Sequence, residues 1–385
     1  MSEYQYYEFR ALDQPLSVQQ RQELRKLSSR AQISATRFVN TYNFGDFRGD
    51  VDKVMACYFD AHLYLANWGT RQVILRWPRT LLGPETLAPY APGEACRTWV
   101  TETHVLVALT SADEAGDWDL GDDDQEGGES GILSDLVPVR NEVAAGDLRP
   151  LYVGWLLAVQ SGEVDDDVLE PPVPPGLGSP SEALQALQGF LRLDADLLAA
   201  AAEASAPLAP GVDQGQLGTW IAGLPPAEKD ALLAQVVAGS PDAVALALRS
   251  RFRRATAPAQ GRGGEPRTVA ALLAAADARR QARERAAARK AAREAEQRAR
   301  AEAEALERRF QVLSLRGEAA WADVEARIQT KRPDEYRAAR DLLRDLQALA
   351  AREGRQAEFT RRLAQLRERH ARKVSLLATL KDLDP

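Results

Sequence analysis

The stretch Thr268–Leu313, TVAALLAAADARRQARERAAARKAAREAEQRARAEAEALERRFQVL, decides how the rest of the chain is read. Ala, Arg, Glu and Gln dominate it, all strong helix formers, and no Pro or Gly occurs between Pro266 and Gly317. The composition predicts one continuous helix, which at 1.5 Å per residue would run for about 70 Å. Its charges agree. Glu294 with Arg298, Glu296 with Arg300 and Glu304 with Arg308 each place the acid four residues before the base, the favourable order along a helix. No Leu, Ile, Val or Phe falls between Leu273 and Leu306, so the seam of large a and d side chains that makes a coiled coil is missing there. A solvated single helix is the leading expectation, with a coiled coil and a segment disordered in the free protein as alternatives.

This helix separates two halves of opposite charge. Residues 1–248 carry 16 Lys/Arg against 36 Asp/Glu, and residues 249–385 carry 33 against 20, so the overall charge of −7 hides a marked polarity. The basic half suggests a polyanion or acidic partner, or head-to-tail association with the acidic half; a solvated rod with surplus Arg is the plainer reading. Arg outnumbers Lys by 42 to 7, a bias that owes part of the Ala/Arg richness to coding composition.

Before the rod, residues 1–160 interleave strand and helix patterns and predict an α+β domain. Glu3–Arg10 is aromatic-rich and reads as a strand; Ser17 with Gln20 forms a capping box opening a helix; Ile33–Tyr42 reads as a second strand. Val51, Val54, Met55, Tyr58, His62 and Leu65 recur at helical spacing and predict a helix over Asp50–Ala66. Arg71–Trp77 reads as a strand with Val73, Leu75 and Trp77 on one face, and Arg97–Val100 with His104–Leu109 as a hairpin. Ser111–Gly131 is an acidic loop with nine acids and no base, and helices follow over Ile132–Ala145 and Arg149–Gln160. Residues 161–180, with five prolines and three glycines, read as an extended linker. Residues 181–254 read as a small all-α domain built on Leu184, Leu187, Phe190, Leu197, Leu198, Trp220, Ile221, Leu232, Leu233, Val236, Leu246 and Leu248, and residues 255–267 as a flexible joint. Beyond the long helix (268–313), residues 314–385 predict a C-terminal helical bundle. Trp321, Val324 and Ile328 form one stripe and Tyr336, Ala339, Leu342, Leu343, Leu346 and Leu349 another; Gly354 ends that helix, and Phe359, Leu363 and Leu366, then Val374, Leu377 and Leu380, supply the rest.

Within this tail, YRAARDLLRDLQALAAREGRQAEFTRRLAQLRERHARKVSLLATL resembles the C-terminal helical hairpins of bacterial SWIM zinc-finger proteins. EYQYYEFRALDQPL, YFDAHLYLANWGTR and WLLAVQSGEVDDDVLEPPVPPGLG are similar to a bacterial protein family spanning the whole chain, a resemblance that supplies no mechanism. The zinc motif is absent, since Cys57 and Cys96 are the only cysteines.

No phosphate-binding glycine loop, nucleophile elbow or zinc-protease motif occurs. The acidic loop fits no register of an EF-hand. His62, His104 and His370 are scattered; a Cys57/His62 pair is the one imaginable nucleophile arrangement, and with His104 and Asp46 these are the residues an enzyme of unrecognised type would use. Asn40, Tyr42, Asp46, Trp68 and Arg71 cluster near turns as a candidate recognition surface. Arg249, Arg251, Arg253, Arg254, Arg279, Arg280 and Arg283 are the candidate polyanion site; no aromatic is interleaved from Ala255 to Arg309, which disfavours base stacking on single strands there. No cofactor or metal is expected. With no apolar leader, no membrane-spanning stretch and no disulfide framework, a cytoplasmic location is expected. The leading functional expectation is a non-enzymatic adaptor whose rigid helical arm holds an α+β recognition domain away from a helical docking module, with protein partners. Nucleic-acid backbone binding by the Arg-rich arm is the alternative.

Overall fold

The computed structural model describes residues 3–113, 129–208, 214–237, 244–245, 248, 251–252, 255 and 266–383. Two compact units result, Met1–Ala282 and Arg283–Pro385, and the division falls inside the long helix.

The first unit is α+β, as its interleaved patterns predict. Its seven strands are β1 (Gln5–Arg10), β2 (Gln32–Ile33), β3 (Arg37–Tyr42), β4 (Ala61–Ala66), β5 (Thr70–Pro78), β6 (Cys96–Val100) and β7 (His104–Ala112). They pair in the order β2-β3-β1-β4-β5-β7-β6, every pairing antiparallel. Side chains alternate between the two faces. One face carries Tyr7, Phe9, Phe38, Ile74 and Leu106 and is covered by α1 (Val18–Leu27), through Leu24, and α2 (Val51–Tyr58), through Val54 and Met55. The other carries Leu63, Leu65, Val73, Leu75, Trp77, Val107 and Leu109, in one core with helices downstream of the sheet. Those are α4 (Glu129–Ala144), α5 (Arg149–Gln160), α6 (Glu182–Phe190) and α7 (Ala195–Ala202); a short α3 (Pro84–Leu87) lies between β5 and β6. Gly154 lets α5 approach the sheet, because a Cβ there would come within 2.7 Å of Cys96 Sγ and 2.6 Å of Leu109 Cδ2.

The expected helix over Asp50–Ala66 is corrected. It stops at Tyr58, Phe59 is extended, and Ala61–Ala66 is the central strand, paired to β1 on one side and β5 on the other. Two periodicities overlap here, and pairing on both edges selects the alternating one, sending Ala61, Leu63 and Leu65 into one core and His62 to the other face. The expected strand Ile33–Tyr42 is broken at a turn in which Ser34 N donates to Arg37 O at 2.8 Å.

Residues 161–180 are no free linker but a packed strap. Val164 and Leu177 are buried in the sheet's core. Val269 N donates to Val168 O at 3.0 Å and Ala270 N to Asp166 O at 2.9 Å, so the strap's carbonyls satisfy first-turn amides of the long helix α10 (Val269–Arg316). Glu170, almost wholly buried, accepts from Arg267 Nε at 2.8 Å and Nη2 at 2.9 Å and from the Tyr152 hydroxyl. Strap and helix start therefore belong to one folding unit with the sheet. The small all-α domain also resolves differently. Leu184, Leu187, Phe190 and Leu197 join the sheet's core, whereas α8 (Gln214–Ala222) and α9 (Pro226–Val237) leave Leu233 and Val236 exposed. Leu246 lies outside the described residues, as do 114–128 of the acidic loop.

The long helix runs for 48 residues, and every residue from 281 to 306 is exposed. In the second unit its last turns bury Phe310 and Leu313 in a core with α11 (Glu318–Gln329), α12 (Pro333–Arg352), α13 (Gln356–Arg369) and α14 (Val374–Thr379). Val324, Ile328, Tyr336, Ala339, Leu343, Leu346, Leu349, Phe359, Leu363 and Leu366 are buried there as their spacing predicts, and Gly354, at φ +70°, ends α12. Near the C-terminus Leu380 is buried as expected, while Leu376 takes the inward place expected of Val374, which is exposed.

Candidate functional site

The start of β1 organises one end of the sheet. Gln5 pairs with Tyr42 at the end of β3 and with Ala66 at the end of β4, so the loops after both strands emerge beside it. Buried Gln5 braces the end: its Nε2 donates to Asp46 Oδ1 at 2.8 Å and Gly45 O at 3.2 Å, and its Oε1 accepts from the Tyr7 and Tyr64 hydroxyls at 2.8 and 3.0 Å. Burial raises the Tyr7 phenol to about 12 and Tyr64 higher still, so both stay protonated donors. On the other loop, Asn67 Oδ1 accepts from Tyr4 N at 3.0 Å, and Gly69, at φ +91°, closes the turn to β5. This frame presents two aromatic side chains to solvent, Phe44 at 81% exposure and Trp68 at 42%.

The five candidate recognition residues divide between the two faces of this sheet end. Tyr42 and Asp46 stand on the α1/α2 side, where Tyr42 packs edge-on to Tyr7 with ring centroids 5.7 Å apart. Asn40 is on that side too but is buried, donating to Ser28 Oγ at 2.9 Å, and acts as a brace. Arg71 projects to the opposite face, where Nη1 donates to Phe190 O at 3.3 Å. Burial and the nearby Arg192 charge lower its pKa. Trp68 lies on the turn between the faces. Phe44 lies outside those five residues; an aromatic between turn residues Asn43 and Gly45 is the signal that marks it.

The candidate catalytic residues are not assembled. Cys57 is exposed on α2, while His62 is fully buried on β4, stacked on Phe9 with ring centroids 4.0 Å apart. His62 Nδ1 lies 2.9 Å from Glu8 O and donates to it; burial lowers its pKa to about 3, which keeps the ring neutral near pH 7. Its Nε2 is buried without a partner. His104 stands 2.7 Å from Thr103 Oγ1, and His370 Nε2 lies 2.8 Å from Glu325 in the second unit. A buried titratable cluster sits elsewhere in the first unit. Asp60 Oδ1 accepts from Arg76 Nη2 at 2.7 Å, and its Oδ2 from Leu12 N and Asp13 N at 2.7 and 2.9 Å. Arg140 bonds Arg76 O and Asp13 at 2.6 Å each. Burial opposes ionisation of Asp60, but the Arg76 charge and these hydrogen bonds outweigh it and hold its pKa down. Such saturation marks a brace. Among the described residues, no three His, Cys, Asp or Glu side chains gather as a metal site, and no helix is long and apolar enough to cross a membrane.

The candidate polyanion residues are also dispersed. Arg249, Arg253 and Arg254 lie outside the described residues. Arg251 pairs with Glu228 and lies over the Trp220 ring. Arg279 pairs with Glu203, and Arg280 with Asp194 at 2.8 Å and Asp277 at 2.7 Å, so both fasten the start of the long helix to the first unit. Arg283 lies within the exposed stretch of the long helix.

The chain matches no protein-family model, no curated protein and no solved structure.

Proposed function

We propose a non-enzymatic interaction protein, in which the sheet end of the first unit takes a protein partner and the helical second unit is a docking module. The observation that supports it most is the pair Phe44 and Trp68, exposed on turns held in place by hydrogen bonds that the Gln5 side chain donates and the Asn67 side chain accepts. Ordered aromatics on a braced edge give apolar contact area at low entropic cost, and aromatic anchors of this kind dominate binding energy at protein interfaces. One helix, rooted at its start in the first core and at its end in the second, links the modules covalently. The reading places the protein in the cytoplasm.

The test is affinity capture from native extract treated with nuclease, comparing the full chain with a Phe44→Ser/Trp68→Ser variant of equal thermal stability. A protein partner retained by the parent and lost by the variant is the expected result. Retention by both would remove the sheet end from the interaction. Turnover of a substrate, abolished by substitutions in the first unit, would overturn the adaptor reading altogether.

A further inference from the structure

Within the second unit the exposed part of the long helix carries a run of arginines along one side. At about 100° per residue, Arg285, Arg289 and Arg293 follow one another along one side, and Arg300 comes round between Arg289 and Arg293. Arg283 and Lys290 lie off this stripe, about 115° and 95° from its centre, and Glu284 and Glu294 fall roughly 140° from it. Glu296 is the one carboxylate on the stripe between Arg285 and Arg300. All these residues are exposed. The neighbouring ion pairs, Lys290 with Glu294 at 3.9 Å and Arg300 with Glu304 at 3.0 Å, are exposed i,i+4 pairs, weak enough to exchange for a stronger anion.

We infer that the Arg285–Arg289–Arg293–Arg300 stripe is a binding surface for the phosphate backbone of a nucleic-acid duplex. The stripe spans about 22 Å, some two-thirds of a duplex turn, and guanidinium forks suit phosphate oxygens. The side chains between the arginines select among polyanions. They are mostly alanines, with no aromatic or large aliphatic residue from 283 to 305. An acidic protein partner would find no apolar centre on which to build an interface. An anionic membrane would find no apolar face to bury, and a single strand no ring to stack on. What remains is sequence-independent contact with regularly spaced phosphates, and it stands independently of the sheet-end reading.

The test is fluorescence anisotropy of the full-length protein with a random-sequence duplex of about 20 base pairs, over about 50 to 200 mM salt. Four phosphate contacts predict a log–log salt slope of about −3.6, an affinity loss of about a hundredfold across that range. The variant Arg285→Gln/Arg289→Gln/Arg293→Gln keeps helix-forming residues; it should bind at least about tenfold more weakly, with a shallower slope and unchanged helicity. A control that removes the same charge from the bundle, Arg337→Gln/Arg361→Gln/Arg372→Gln, should bind like the parent. No binding at the lowest salt, or equal loss in the control, overturns the assignment. So does tighter binding of poly-glutamate, anionic vesicles or single strands than of the duplex.

Discussion

The two units solve the problem of specificity in opposite ways. In the first, Glu8, Asp60, Arg76, Arg140 and Arg149 are all buried, and each is held by hydrogen bonds between distant segments. In the second, no charged residue is buried among the described residues, and its ion pairs, such as Arg344 with Asp382 and Arg352 with Glu307, lie at the surface over a core of Leu, Ile, Val, Phe, Tyr and Ala. An antiparallel sheet must fix register and the positions of its loops, and buried charges whose partners exist in one arrangement do that. Helices in a bundle are placed by the spacing of their apolar residues alone, so charge is left for the outside.

Breaking this contrast should give unequal effects. The largest is expected from Asp60→Ala, which strips the buried Arg76 guanidinium of its counter-ion and leaves the Leu12 and Asp13 amides unpaired. Loss of one partner of a buried pair costs about 3–5 kcal/mol, so urea unfolding of the first unit should shift by that amount, and a shift under about 1 kcal/mol would refute the bracing role. In the second unit the counterpart is apolar. Leu343→Ala empties a fully buried site and should cost about 2–5 kcal/mol, read as earlier loss of the second unit's transition with the first unchanged.

The same contrast explains what was legible in the sequence. The second unit is written in local spacing: the stripe Tyr336–Ala339–Leu343–Leu346–Leu349 is both the pattern and the buried face. The long helix is equally legible, since nothing in its composition competes with helix. In the first unit the decisive contacts are remote. Nothing near Asp60 announces that its partners are Arg76 and the amides of Leu12 and Asp13, and nothing near Glu170 announces Arg267, so a prolines-and-glycines strap reads as a linker. At Ala61–Ala66 two patterns coexist, and only pairing with β1 and β5 decides between them. Of the candidate recognition residues, turn chemistry groups them at one end of the sheet but does not tell the faces apart: Asn40 is inside, and Arg71 is on the far side.

A smaller effect follows from His62. Its folded pKa, about 3, lies below the usual imidazole value, so the unfolded chain takes up the proton first. Its contribution to stability is complete above about pH 6.5 and should fall by about 1.4 kcal/mol per pH unit below that, until the pH reaches the folded value. Asp60 acts in the same direction at lower pH, through the carboxylate range. Unfolding of the first unit followed from pH 7 to 5 should show the slope, and His62→Leu should flatten it. An unchanged slope would assign the acid sensitivity to another group.

The smallest effect is expected where the second unit keeps its charges. Arg344→Gln removes the pair with Asp382, whose side chains remain 50% and 42% exposed. Water screens both partners before and after the change, and the pair also restrains two mobile side chains, so Coulomb gain and entropy cost nearly cancel. The melting transition of the second unit should not move, in low or high salt. A clear salt-dependent drop would mean that surface pairs do position these helices, and the division between a unit specified by buried charge and one specified by apolar spacing would fail at that point.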